Sequence, residues 1–138
     1  GIQHAGMRFE RLPEHDVWIN QHPCMGLDPS LDPHKGLTVL PAVTGACMLL
    51  RRVDFDRVGG WATGYLIGDF EDSDLCLKLR DGGQHVAYLP QVQLTHLERQ
   101  SMTALGSDEF RIRVTLWNAL RHQSRWQSLI ETPVEAAL

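Results

Sequence analysis

The stretch Glu71–Arg80 is the most tightly bounded segment of the chain, and it restricts the fold more than any other. Glu71, Asp72 and Asp74 stand where the first helical turn would be, and acids there complement the helix dipole. Leu75, Cys76 and Leu79 follow at i, i+1 and i+4, on one helical face. Gly82-Gly83 supplies the stop, because glycine reaches the left-handed cap cheaply. The spacing predicts a helix over 71–80 with one apolar face, which must pack on something else. On its C-terminal side His85–Leu89 reads as a strand closed by Pro90, and Val92–His96 alternates as a half-buried strand does. On its N-terminal side the apolar run in Ala42–Arg51 has the length of a buried strand. Val53–Val58 reads as one helical turn ended by Gly59-Gly60. The last element is a long helix. Ser107 is its N-cap, Asp108 and Glu109 lie in its first turn, and Phe110, Val114, Trp117 and Leu120 form an apolar stripe. Residues 1–40 carry Pro13, Pro23, Pro29 and Pro33 and lack periodicity, which predicts a loop-rich lead-in with one short strand or helix near Val17–Ile19. Strands and helices in this mixture indicate an α/β (or α+β) chain.

The 138 residues suit one domain. Thirteen basic residues against seventeen acidic ones leave a net charge of −4, without the basic surface that phosphates or an anionic bilayer would require. The longest clean apolar run is Ala46–Leu50, far short of the roughly 20 residues of a spanning helix. Cys24, Cys47 and Cys76 show no CxxC spacing and read as reduced thiols of a cytoplasmic protein. The start at Gly1-Ile2-Gln3-His4 has no initiator Met, which predicts a piece of a longer protein.

Chemistry concentrates in Gly68–Asp74, where Asp69, Glu71, Asp72 and Asp74 place four carboxylates within six positions. Like charges this close oppose one another's ionisation. The helix N-terminus offsets that by about 0.3–1 kcal/mol. Such acids either stabilise a helix start or keep one carboxylate ready as a general base, and the residues alone leave both open. His4, His15, His22, His34, His85 and His122 show neither HExxH nor paired zinc spacing.

The order of segments decides more. Val43-Thr44-Gly45-Ala46-Cys47-Met48-Leu49-Leu50-Arg51-Arg52 precedes Phe55 and Val58-Gly59-Gly60-Trp61. Glu71-Asp72-Ser73-Asp74-Leu75-Cys76-Leu77-Lys78-Leu79 and Gly82-Gly83 come next, followed by Tyr88-Leu89-Pro90, His96 and Gln100-Ser101. Over roughly residues 42–101 this resembles the C-terminal half of the family 2 glycosyltransferases, inverting enzymes of the GT-A type. The resemblance implies a partial GT-A-like mixed sheet flanked by helices. It divides the chain into a lead-in (1–41), an acceptor and catalytic-base core (42–101) and a C-terminal helix (102–138). It implies Asp72 as the base, Glu71 and Asp74 positioning acceptor or base, Thr44-Gly45-Ala46 lining the acceptor side, and Trp61 stacking on a sugar. His96 would be a ligand of a divalent metal, Mn or Mg, with Ser101 as the second part of that signature. The lead-in would pass near the donor pocket, bringing His22 or His34 toward substrate. The partners implied are a nucleotide-sugar donor and a glycan or lipid-linked acceptor, with no nucleic acid. The longer protein would work in the cytoplasm or at the inner face of its membrane, and this chain by itself would be inactive.

Departures from the pattern are specific. Lys78 stands where relatives usually have Arg, and Ala62-Thr63 replace an acidic pair. Asp54-Phe55-Asp56 and Asp72-Ser73-Asp74 spell Asp-x-Asp outside the nucleotide-binding half to which that motif belongs. Gln123-Ser124-Arg125-Trp126 is one residue short of the Gln-x-x-Arg-Trp of processive synthases and carries no weight. The competing expectation is a non-catalytic domain that binds carbohydrate or a partner protein. A metal-dependent hydrolase built on the 69–74 carboxylates ranks last.

Overall fold

A four-residue turn, Pro13–Asp16, folds the early chain into a hairpin. β1 (Arg8–Leu12) pairs antiparallel with β2 (Val17–Gln21), Leu12 opposite Val17 and Arg8 opposite Gln21. Asp16 closes the turn in the left-handed region at φ 49°, and Arg11 Nε donates to its carboxylate at 3.0 Å. The structure is a computed structural model and describes residues 1–95 and 107–134. The class is the expected one, mixed α/β, with small two-stranded sheets and a long C-terminal helix. The short strand or helix expected near Val17–Ile19 is β2, and the hairpin adds β1, which was not expected, to the loop-rich lead-in. The hairpin's strands are stabilised by each other and by the last helix, which local periodicity does not display.

After the hairpin, β3 (Thr38–Val39) pairs antiparallel with β4 (Ala87–Tyr88) in a second sheet, so the strand expected over 85–89 is present but shorter. The buried strand expected within Ala42–Arg51 does not form. Thr44 caps a 3₁₀ turn at Gly45–Cys47, its side chain accepting from the Ala46 amide at 3.3 Å. Beyond it Met48 is extended, but residues 48–50 join no sheet among the described residues, and Leu49 is 100% exposed. A distant group takes the partner's place: the Gly45 amide donates to the Asp72 side chain, 27 residues on, not to a neighbouring strand. Residues 92–95 likewise form no strand, and Val92 and Leu94 are exposed.

α1 (Arg52–Arg57) is the expected single turn. Asp54 is buried inside it, held by Arg51 Nε at 2.6 Å and by Arg57. Gly60 follows at φ 66°, where a Cβ would stand 2.9 Å from the Phe55 ring, so this position requires glycine. α2 (Glu71–Asp81) matches the predicted helix to one residue. It buries Leu75, Cys76, Leu77 and Leu79, and also Ser73 and Asp74. Cys76 packs with Met7, Ala42 and Val86 as a free thiol, and burial pushes its pKa up to about 12.

α3 (Asp108–Glu131) begins as expected, the Ser107 hydroxyl accepting from the Phe110 amide at 3.3 Å. Its buried face is not the predicted stripe. Phe110, Trp117 and Leu120 are exposed, and the helix packs through Asn118, Ala119, His122 and Ile130. Polar residues serve here because α3 packs on loop backbone. Asn118 accepts from the Leu66 amide at 2.9 Å and donates to the Leu66 and Gly68 carbonyls at 3.1 and 3.2 Å. Gln123 accepts from the Trp18 amide at 3.0 Å, tying α3 to β2. Among the described residues no helix is long and apolar enough to cross a membrane.

His122 sits at 1% exposure among Phe9, Tyr65 and Phe70. Burial drives its pKa down from 6.5 to about 4, against the pull of the Asp74 charge. The native state thus binds this proton less readily than the unfolded chain does. Stability from this group is complete above pH 6.5 and is lost as pH falls toward 4, by an amount on the order of 3 kcal/mol. Urea midpoints are expected to drop between pH 7 and 4.5, and the drop should shrink in His122→Gln. An equal drop in that variant would assign the acid sensitivity elsewhere.

Candidate functional site

The loop ahead of α2 is under backbone strain. Ile67, Gly68, Asp69 and Phe70 have φ of 68°, 134°, 83° and 74°, four consecutive residues on the left-handed side. Non-glycine residues hold such values only where their surroundings impose them. Here Phe70 is buried against Val17 and Ala119, and Asn118 grips the carbonyls of Leu66 and Gly68. The strained loop delivers the chain into α2 with Asp72 in the first turn.

The Asp72 carboxylate is held by two amides. Oδ1 accepts from Ser73 at 2.7 Å, and Oδ2 accepts from Gly45 at 3.1 Å. The second bond joins segments 27 residues apart. A Cβ on Gly45 would stand 3.4 Å from the Asp72 Cβ and 3.5 Å from the Trp61 ring. These are ordinary contact distances, so Asp72, the Thr44–Ala46 turn and the Trp61 indole lie together around this position. Trp61 is 44% exposed and leans edge-on against Phe55 at 5.9 Å.

Two more acids flank Asp72. Glu71 has a buried, unpartnered Oε2, and burial raises its pKa. At Asp69, lost hydration first and then the charges of Asp72 and Glu71 push the carboxyl up to about 6. His22 lies close enough for the Asp72 charge to act on it. Burial nevertheless lowers its pKa, and its Nδ1 meets that of His4 at 3.1 Å. His34 is tied elsewhere, to Asp32 at 2.7 Å with Tyr88 beside it.

Asp74, expected to position the acceptor or the base, is 0% exposed and turned toward α3, away from the surface an acceptor could reach. Oδ2 accepts from Trp126 Nε1 at 2.9 Å and from the Tyr65 hydroxyl at 3.3 Å, while Arg125 reaches Oδ1 at 3.2 Å. Lys78 lies 3.9 Å from the same oxygen. The sequence reading missed this role for Arg125 and Trp126, and for the His122 ring that meets the Ser73 hydroxyl at 3.0 Å. A usable signal was present: Asn118, His122 and Arg125 are polar residues at i, i+4 and i+7, one helical face.

His96 and Ser101 lie outside the described residues. Among the described residues no three His, Cys, Asp or Glu side chains converge as metal ligands, and both Asp72 oxygens are engaged by amides. These residues do not by themselves furnish a metal site. A groove of ≈ 1180 Å³ runs past Thr44, Ala46, Arg51, Tyr88 and Leu94, and Asp72 and Trp61 are not part of its wall.

No family model and no solved structure matches the chain. Rhamnosyltransferase WbbL of Escherichia coli K12 is 32% identical over 116 residues, covering 75% of this chain and 44% of its own length. An uncharacterized protein of Sinorhizobium fredii, y4gI, is 40% identical over 72 residues, covering 52% of this chain and 8% of its own length. The chain therefore spans less than half of either relative.

Proposed function

We propose that this chain is the acceptor-side, base-carrying part of an inverting, GT-A type glycosyltransferase, with Asp72 as the general base. The observation that carries the reading is the bond from the Gly45 amide to Asp72. It brings the acidic helix start, the small-residue turn and an exposed indole to one place. The similarity to a rhamnosyltransferase supports the same class and makes a nucleotide-activated rhamnose the first donor to try.

In this reading the acceptor lies over Trp61 with one hydroxyl on Asp72. A sugar hydroxyl is too weak an acid to ionise beforehand, so the proton moves to Asp72 as the oxygen attacks the anomeric carbon. The new C–O bond forms as the bond to the nucleoside diphosphate breaks on the opposite face, inverting the centre. Thr44, Gly45 and Ala46 shape the acceptor side, and Glu71 borders it. Asp74 takes no part in binding. A divalent ion remains part of the proposal with His96 as a ligand, and none of these proton and bond changes runs through it. In the longer protein that carries this chain, the expected result is transfer from a nucleotide sugar to a glycan or lipid-linked acceptor, the product showing the opposite anomeric configuration by NMR. Retention would overturn the mechanism. Glycan binding without any transfer would assign the non-catalytic alternative.

A further inference from the structure

On α2, Asp72 and Asp74 are two residues apart, which places them on nearly opposite sides of the helix at about 100° per residue. Asp72 faces the Gly45 turn, and Asp74 faces the interior. The inner side is anchored at two consecutive residues. Asp74 receives the Trp126 indole N–H, the Tyr65 hydroxyl and the Arg125 guanidinium. Arg125 also lies over the Trp126 ring at 5.5 Å, so each restricts the other. Next to it the buried Ser73 hydroxyl meets His122 at 3.0 Å and accepts from Asn20 at 2.9 Å.

These contacts fix how far α2 is turned about its own axis. With side chains extending about 5–6 Å from the axis, a rotation of roughly 10° moves a carboxylate on the far side by about 1 Å. A displacement of that size at a reacting group costs as much as about 10²-fold in rate. We propose that Arg125 and Trp126 are positioning residues. By gripping the buried Asp74 they set the rotation of α2 and thereby aim Asp72 at the hydroxyl it deprotonates. The proposal rests on Asp72 being the base, and it deepens that reading.

The Gly45 amide reports the aim directly, because its hydrogen bond ends on Asp72 Oδ2. Trp126→Phe keeps a ring and deletes the N–H. In the full chain, NMR of this variant is expected to move the Gly45 amide toward its position in Asp72→Ala, which has no acceptor for it, and to speed its hydrogen exchange about tenfold. The Leu40 amide, bonded to Val86 across the other sheet, should not respond. Arg125→Met should shift the Gly45 amide in the same direction, and Arg125→Lys should largely restore it. In the transfer assay Trp126→Phe is expected to lower kcat about tenfold or more at unchanged KM. A Gly45 amide that stays in place overturns the proposal, even if Asp72→Asn is inactive. An Asp72→Asn enzyme with full turnover overturns the base reading instead, and the catalytic meaning of the positioning with it, whatever the amide does.

Discussion

In the longer protein, Asp72→Asn is expected to lower kcat for sugar transfer by about 10²–10⁴-fold, the range a positioned general base contributes. Asn has the same shape and keeps one carbonyl oxygen for an amide partner. The Gly45 turn, Trp61 and the start of α2 should therefore stay in place, as the two amide contacts of the wild-type side chain suggest. What is lost is the ability to take a proton, which matters only in the transition state. Binding of the nucleotide sugar should accordingly be unchanged by calorimetry while turnover collapses. Turnover close to wild type would remove Asp72 from the mechanism. Weakened donor binding with proportionate turnover would make it a structural acid of the helix start.

Asp74→Ala is expected to act on stability before anything else. The wild-type carboxylate is fully buried and satisfied by Trp126, Tyr65, Arg125 and the nearby Lys78. Removing it strands an indole N–H and a hydroxyl and takes the counter-charge from Arg125, while Lys78 keeps its bond to the Gly60 carbonyl at 2.7 Å. Breaking one side of a buried pair costs about 3–5 kcal/mol. Arg125 keeps about a third of its side-chain exposure and can turn to water, so the lower end, about 3 kcal/mol, is expected. The shift would appear as a lowered urea midpoint at unchanged m-value. A loss under about 1 kcal/mol would mean that α2 and α3 are held together by their apolar contacts and that the charged cluster is incidental.

These two neighbouring acids also mark the boundary of what local pattern discloses. Both lie in the same acidic run, and the resemblance implies Asp72 as the base and Asp74 as positioning the acceptor or the base. The helical period puts them on opposite sides of α2, and packing decides that Asp72 faces the Gly45 loop and Asp74 faces α3. The same limit appears in the apolar runs. Met48, Leu49 and Leu50 have strand composition, yet they join no sheet among the described residues, and Leu49 stands in solvent. On α3 the strongest apolar spacing faces outward, while Asn118 and His122 face the core because they satisfy loop carbonyls and a buried hydroxyl. Residues 8–21 form a hairpin whose pairing depends on contacts across a turn and with a helix about 100 residues later.

By itself the sequence determined the elements whose signals are local. These are α2 with its acids and glycine stop, α3 with its Ser107 cap, the single turn of α1 before Gly59-Gly60, and the mixed class. Capping, dipole complementarity and left-handed glycines act within a few residues, so they can be read from a few residues. It also singled out Asp72, Gly45 and Trp61, though not that they touch. Tertiary structure decided that contact, the burial of Asp74, the polar core face of α3 and the absence of a ladder at 47–50. Each is settled by which distant group fills a hydrogen bond, and no local period encodes that choice.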